Sequence, residues 1–243
     1  MRRNIDVSLP FLNLRELTEA SVAVVRIHGR VAKAIARLNA EVAAKRDEIS
    51  NRWKRLEGVT PADRQRMAER ETAAAVSTIR ENCEKELIGL MREVVEAERR
   101  VTAQEFFYDS PVKLLARLEL GTAARSNYLA QLQAAGPVEV AHLGQYAASI
   151  KEKALGAAVL SVLDAMPTTE RPFTAVSLAE SIVGGDFKQA REAIRVARNR
   201  TQEAVIAIRS FRAARNSPLA SVRMAVSRLS EDGSIELEAA KSA

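Results

Sequence analysis

Two long stretches of the chain, residues 17 to 56 and 61 to 107, carry apolar side chains at alternating spacings of three and four. This is the a/d rhythm of a helix that packs along a narrow apolar stripe. We call ten positions of this stripe the seam, and they are Val24, His28, Val31, Ile35, Leu38, Val42, Ile49, Leu87, Leu90 and Val94. The pattern predicts two long helices, each with one apolar edge.

The break between the two stretches is only a few residues long and contains helix-start signals. Thr60 suits an N-cap, Pro61 suits the first helical position, and Asp63 is an acidic residue in the first turn. Because so short a connection brings the second helix back beside the first, we predict an antiparallel hairpin. Each arm would be roughly 60 Å long at about 1.5 Å per residue.

The remainder of the chain predicts shorter helices separated by Gly and Pro breaks. The expected helices cover residues 111–119, 122–134, 137–165, 174–183, 186–214 and 218–229. Aromatic residues make up only 4% of the chain, and runs of alternating β-branched residues are absent. The sequence therefore predicts an all-α protein with four parts, namely an N-terminal arm (1–12), the long hairpin (13–108), a compact multi-helix domain (109–229) and a polar tail (230–243).

Candidate chemistry is sparse along the whole sequence. The spacing Glu139-x-x-His142 resembles half of a di-iron site, but such a site needs a second pair, and His28 is the only other histidine. Phosphate-binding loops, nucleophile elbows and zinc motifs are absent, and the single Cys83 falls on the apolar edge of the second helix. We expect no catalytic residues, no metal and no cofactor, and hence a protein that is not an enzyme.

Targeting signals are equally sparse. Basic residues near Met1 precede no continuous apolar segment, and no apolar run approaches the ~18 residues of a membrane span. We expect a protein that is made in the cytoplasm and that does not cross a membrane.

Positive charge is concentrated in two places, although the net charge is only +6. Residues 1–56 contain 12 basic and 6 acidic side chains, whereas residues 188–228 contain ten basic and two acidic ones. Residues 174–200 resemble a helix-turn-helix, with a turn at Gly184-Gly185-Asp186. The candidate nucleic-acid contacts on this resemblance and on the helix that follows are Lys188, Arg191, Arg195, Arg198, Arg209 and Arg212.

Three seam or near-seam positions, His28, Lys45 and Arg52, are polar where apolar residues are expected. One explanation is that these side chains are partly exposed, with their aliphatic parts lying along the apolar edge. The other is that they set the register of helix pairing and the choice of partner helix, at a cost in stability. If the His28 site is buried, the substitution His28→Leu should raise the melting temperature. Incomplete burial of the seam within one chain would favour packing against further copies.

The layout of a long helical hairpin followed by a small helical domain, rich in Ala and Arg, is similar to helical structural proteins of tailed-bacteriophage particles of the connector, internal or scaffold type. The resemblance implies a non-enzymatic assembly protein that associates with itself and with other structural proteins, inside a virus particle. The alternative is a DNA-binding protein that is dimerised by the hairpin and that contacts nucleic acid through residues 188–228. A third hypothesis is a helical adaptor or chaperone for another protein.

Overall fold

The computed structural model describes residues 10 to 213, and every regular element among them is helical. Two further elements are short 3-10 turns at Ala103–Phe106 and Thr168–Glu170. The helices are α1 (Leu14–Lys54), α2 (Pro61–Thr102), α3 (Pro111–Arg117), α4 (Ala123–Leu132), α5 (Pro137–Ile150), α6 (Lys153–Ala165) and α7 (Ala175–Arg212). The predicted all-α class is confirmed. The predicted helix 218–229 and the predicted N-terminal arm and tail lie wholly or mostly outside the described residues.

The two long helices begin at side-chain caps. The Asn13 side chain accepts a hydrogen bond from the Glu16 amide at 3.0 Å, and the Glu16 carboxylate accepts one from the Asn13 amide at 2.9 Å. This reciprocal pair is a capping box, which satisfies two amides that have no partner inside the helix. Thr60 accepts from the Asp63 amide in the same way at 3.2 Å, so the predicted start of α2 is confirmed. Gly58 supplies the positive φ of +80° in the connecting turn.

The predicted single helix over residues 137–165 is wrong, because the chain breaks between α5 and α6. Lys151 adopts a left-handed conformation with φ of 53°, which ends α5, and α6 begins two residues later. Every residue of α6 from Ala154 to Leu160 is buried, whereas α5 buries only Val140, Gly144 and Ala147. The break thus separates α6, which is buried on every side over residues 154–160, from α5, which has a large exposed surface.

The predicted helix-turn-helix of residues 174–200 is also wrong, because α7 continues without interruption through Gly184 and Gly185. Buried residues recur along α7 at intervals of seven, on both sides of the glycine pair, at Val183, Ala190, Ala197, Ala204 and Phe211. Each interior glycine costs a helix roughly 1 kcal/mol relative to alanine. A stripe of five buried side chains outweighs that cost, since fully burying even one valine or phenylalanine contributes about 1.5 to 3 kcal/mol.

The described chain groups into two compact units, which combine segments distant in sequence. Unit 1 contains residues up to Ser21 together with residues 100–195, and unit 2 contains residues 22–99 together with the chain from Val196 onward. The second half of α7 therefore belongs with the hairpin. This grouping follows contacts in space, whereas the domain bounds 13–108 and 109–229 follow the order of the chain and stay a prediction.

Unit 1 is organised around α6, which contacts α3, α4 and α5. Two glycines allow close approach in this core. A Cβ at Gly156 would lie 2.3 Å from the Ile182 side chain, and one at Gly144 would lie 2.3 Å from the Phe173 ring. These positions are glycine because a neighbouring side chain occupies the space of a methyl group.

A cluster of aromatic rings joins the residues before α1 to those after α2 within unit 1. The Phe11 ring packs against Phe107 with centroids 5.0 Å apart and against Tyr108 at 6.2 Å. Tyr108 donates a hydrogen bond to the Leu12 carbonyl at 3.0 Å, and burial raises its pKa to about 12. The Gln104 side chain bonds both to the Leu12 amide and to the Pro10 carbonyl. The segment 105–108 is therefore a packing element of unit 1, although the Phe106 side chain stays 41% exposed.

Unit 2 is an antiparallel hairpin whose register is marked by three ion pairs between the arms. The pairs are Arg30–Glu93, Arg37–Glu86 and Arg52–Glu71. In all three the residue numbers add up to 123, so the arms pair without a slip along this length. Each pair is solvent-exposed and contributes little to stability by itself, but together they disfavour a shifted register. Arg52 also lowers the pKa of the Glu71 carboxylate by hydrogen bonding to it.

Candidate interaction surfaces

The seam lies inside the molecule. All of its residues are buried except His28 and Ile35, which are half-buried. The second half of α7 supplies much of the cover in unit 2, since Ala197, Ala204 and Ile208 are themselves buried there. Burial of the seam therefore does not require further copies of the chain. If this protein associates with itself, another surface carries the contact.

His28 lies beside a buried carboxylate of α7. Its Nε2 atom is 3.1 Å from Oε2 of Glu203, and the Arg200 guanidinium donates to the same oxygen at 2.9 Å. The Glu203 side chain is only 5% exposed, and its other oxygen has no hydrogen-bond partner among residues 10–213. His28 is therefore a polar partner of α7 in unit 2. By contrast, Lys45 and Arg52 are partly exposed and bind Glu48 and Glu71.

We expect His28→Leu to lower the melting temperature, which is the opposite of the result expected for an apolar site. The substitution would remove the His28 contact of the buried Glu203 carboxylate, one of whose oxygens already lacks a hydrogen-bond partner among residues 10–213. We expect the free energy of unfolding to fall by about 1 to 3 kcal/mol. Thermal and urea unfolding would measure the loss. The double variant His28→Leu/Glu203→Leu should recover most of it, because it removes the buried charge as well; an equally unstable double variant would contradict this explanation.

The candidate nucleic-acid contacts on α7 are largely engaged with carboxylates. Arg195 forms an ion pair with Glu192, Arg191 lies 3.5 Å from Glu105, and Arg212 binds Glu84. Arg198 is half-buried and also has a partner, whereas Lys188 and Arg209 are exposed. Because α7 is a single helix and at least four of these six cations have a partner, contact of this surface with nucleic acid stays a prediction.

Helix α5 has an exposed apolar surface, and we call it the α5 ridge. Val138, His142, Tyr146 and Ile150 follow one another at intervals of four, which places them along one row of the helix surface. Val138 is 68% exposed, Tyr146 56% and Ile150 51%. The spacing of four is visible in the sequence, but a single helix over residues 137–165 predicts no distinct outer face, and the ridge therefore does not follow from the sequence alone.

Charge is almost absent from α5. Its only acidic residue is Glu139, and it contains neither Lys nor Arg. The Glu139 carboxylate accepts a hydrogen bond from the Gly136 amide at 3.0 Å and so caps the start of its own helix. The ridge thus lacks the charged side chains that keep α1 and α2 solvated. Depletion of charge is the compositional mark of the centre of a protein interface.

The remaining candidate chemistry gives no site among residues 10–213. Burial raises the pKa of the Cys83 thiol, and the side chain donates to the Arg80 carbonyl at 3.3 Å. No group of three or more His, Cys, Asp or Glu residues in this range could hold a metal ion. None of the helices in the same range combines the length and the apolar character needed to cross a bilayer.

Comparison with known proteins gives no relative for this chain. No protein family, curated protein or solved structure matches it.

Proposed function

We propose that this protein is a non-enzymatic assembly protein that associates with itself through the α5 ridge. The observation that carries the proposal is a row of exposed apolar side chains on a helix whose one carboxylate is used as a cap. Exposed apolar patches on soluble proteins mark contact surfaces, and burying one valine or isoleucine contributes about 1.5 to 3 kcal/mol.

The ridge suits a symmetric contact between two copies. In a two-fold interface the same surface patch is used by both subunits. Rows of residues spaced by four interdigitate when two helices cross at about −50°, which is the commonest packing class. Two copies of α5 can therefore pack ridge against ridge, with Tyr146 as a large aromatic anchor near the middle of the contact. The layout resemblance to tailed-bacteriophage structural proteins supplies the proposed setting, which is a virus particle.

Replacing Tyr146 by lysine tests the contact. We expect Tyr146→Lys to weaken self-association about 30-fold, because a central aromatic anchor contributes roughly 2 kcal/mol and its replacement brings a charge into the interface. Sedimentation velocity and light scattering over a concentration series would measure the dissociation constant.

The matched control is Val22→Lys, since Val22 is 51% exposed on α1, far from α5 in sequence and in the other unit. It should leave the dissociation constant unchanged. A wild-type protein that stays monomeric at every concentration, or two variants with the same effect, would overturn the proposal.

A further inference from the structure

An open groove lies on the hairpin near its turn, within unit 2. We call it the tip groove and define it by six of the side chains that line it along α1 and α2, which are Arg46, Trp53, Lys54, Arg64, Val76 and Arg80. Its volume is about 880 Å³. Trp53 is the only tryptophan of the chain, and its indole Nε1 donates to the Glu71 carboxylate at 2.8 Å. This bond holds an aromatic ring in the wall of the groove.

The tip groove lies on the side of the hairpin that α7 covers farther from the turn. Arg46 and Trp53 follow His28 by 18 and 25 residues, which are close to five and seven full turns of 3.6 residues. They therefore share a side of α1 with His28, which contacts α7. On α2 the groove begins at Arg80, whose guanidinium donates to the Phe211 carbonyl at 3.0 Å and lies over the Phe211 ring. This side of the hairpin thus already accommodates one packed helix, which is α7.

The lining of the tip groove is strongly basic. It contains four cations, Arg46, Lys54, Arg64 and Arg80, and a single carboxylate, that of Glu69. The Nε atom of Arg64 is buried without a hydrogen-bond acceptor among residues 10–213. Within the same range, no ion pair involves Arg46 or Lys54. The groove therefore favours an occupant that supplies anionic groups.

The cations form two groups along the length of the groove. Because paired residues of the two arms have numbers that add up to 123, Arg46 lies opposite residue 77, close to Arg80. By the same rule Lys54 lies opposite residue 69, five positions from Arg64. The eight positions from Arg46 to Lys54 correspond to about 12 Å along a helix axis. A helix lying in the groove would reach both groups with carboxylates about seven or eight positions apart, which is close to two turns.

Apolar lining residues lie among these cations. Ala68, Ala73, Val76 and the Trp53 ring contribute apolar surface, and Val76 is one of the buried residues of α2. Aliphatic side chains of an amphipathic helix can pack against such a surface, whereas the charged side of the same helix faces the cations. The groove is therefore suited to a helix that is apolar on one side and acidic beside it.

Two other occupants match the groove less well. Residues 214–229 of the chain carry Arg215, Arg223 and Arg228 and no acidic residue, so they would add positive charge to a basic groove. A nucleic-acid strand would neutralise the cations, but its backbone of sugars and phosphates makes no use of the apolar lining. Both the charge and the apolar surface are used only by an acidic amphipathic segment.

We propose that the tip groove docks an acidic amphipathic helix of another protein, which packs against α1 and α2 as α7 does farther from the turn. The apolar side chains of this partner contact Trp53, Ala73 and Val76, and its carboxylates bind the two groups of cations. The apolar contacts supply most of the affinity, and the charges orient the helix and select acidic partners. This contact belongs to unit 2 and does not depend on the α5 ridge, which belongs to unit 1.

Trp53 emission reports binding to the full-length protein when the probe contains no tryptophan. The probe is a synthetic peptide of about 15 residues, long enough to reach both groups of cations, with leucine at the a and d positions and glutamate at the flanking positions. We expect a saturable blue shift of Trp53 emission and weaker quenching by acrylamide. A peptide with glutamine in place of every glutamate should bind at least about 10-fold more weakly, because several ion pairs are lost together. No response to the acidic peptide, or equal affinity for both peptides, would overturn the proposal.

Reversing the charge of two lining residues tests the location of the site. Arg46→Glu/Lys54→Glu changes exposed side chains and should weaken binding of the acidic peptide at least about 10-fold. The control Arg26→Glu/Lys33→Glu makes the same change in net charge on exposed residues of α1 outside the groove, and it should leave the affinity unchanged. Equal losses in the two variants would show a general attraction to a basic protein and would contradict docking in the groove.

The same variants identify the other possible occupants. Single-stranded oligo-dT of about 15 nucleotides should bind more weakly than the acidic peptide. Tighter binding that is lost in Arg46→Glu/Lys54→Glu would assign the groove to nucleic acid instead. Sedimentation velocity should give the same dissociation constant for self-association in this variant and in the wild type, since the α5 ridge is unchanged. A weaker self-association would assign the groove to a second copy of the chain, and either result would overturn the proposal.

Discussion

Leu87→Ala is expected to reduce the free energy of unfolding by about 2 to 5 kcal/mol, because it leaves a cavity in a tightly packed core. Leu87 is completely buried on the seam of α2. A loss of this size is a large part of the total stability of an ordinary domain, about 5 to 15 kcal/mol. Urea unfolding at a fixed protein concentration would measure it.

The same variant also distinguishes two roles for the seam. If the seam is the core of a single chain, the loss should be the same at every protein concentration. If copies pack through it, the melting temperature should rise with concentration, since association stabilises by mass action. Val95→Ala is the control, because Val95 lies on the same helix but is exposed. We expect it to change stability by less than about 0.5 kcal/mol.

Arg125→Ala should destabilise unit 1 by about 2 to 4 kcal/mol, since it removes several charge-assisted hydrogen bonds at once. Arg125 is buried, and its guanidinium donates to the carbonyls of Ala116 and Leu118 at 2.7 and 2.9 Å. It also donates to the Ser161 hydroxyl at 3.1 Å, which connects α4 to α6. Alanine would leave these acceptors without their donor.

Two control variants test whether the loss comes from the hydrogen bonds of Arg125. Arg125→Lys should rescue only part of the stability, because one ammonium cannot reproduce the geometry of a planar guanidinium that reaches three acceptors. Arg15→Ala removes an exposed arginine paired with Glu19 and should change stability by less than about 1 kcal/mol. Equal losses for Arg125→Ala and Arg15→Ala in urea unfolding would show that the buried network is not structurally important.

The hairpin could be predicted from the sequence because its signals are local. The spacing of the seam, the cap at Thr60 and the short turn with Gly58 all act within a few residues, and α1 and α2 begin close to the expected positions. The continuity of α7 could not be predicted by the same rules. Gly184 and Gly185 are strong local breakers, and only the buried stripe that runs through them, which depends on distant parts of the chain, overrules them.

Local sequence rules also could not predict which surfaces of the helices are covered. The periodicity predicted an apolar edge on each helix, but it could not show that α7 returns to cover that edge. The partner of His28 is Glu203, which lies 175 positions away in the sequence. Likewise, the left-handed Lys151 that separates α5 from α6 has no glycine to mark it. Contacts between residues distant in sequence therefore determine which faces of the predicted helices stay exposed.

The constant register of the three ion pairs between the arms restricts how the length of the hairpin can change. A single inserted residue in one arm would turn its apolar edge by 100° and would separate every pair beyond it. Seven residues added to each arm at matching positions would instead preserve both edge and register, and would lengthen the rod by about 10 Å. The hairpin can therefore be lengthened or shortened by seven residues in both arms at once. Its length then changes while the packing between the arms stays the same.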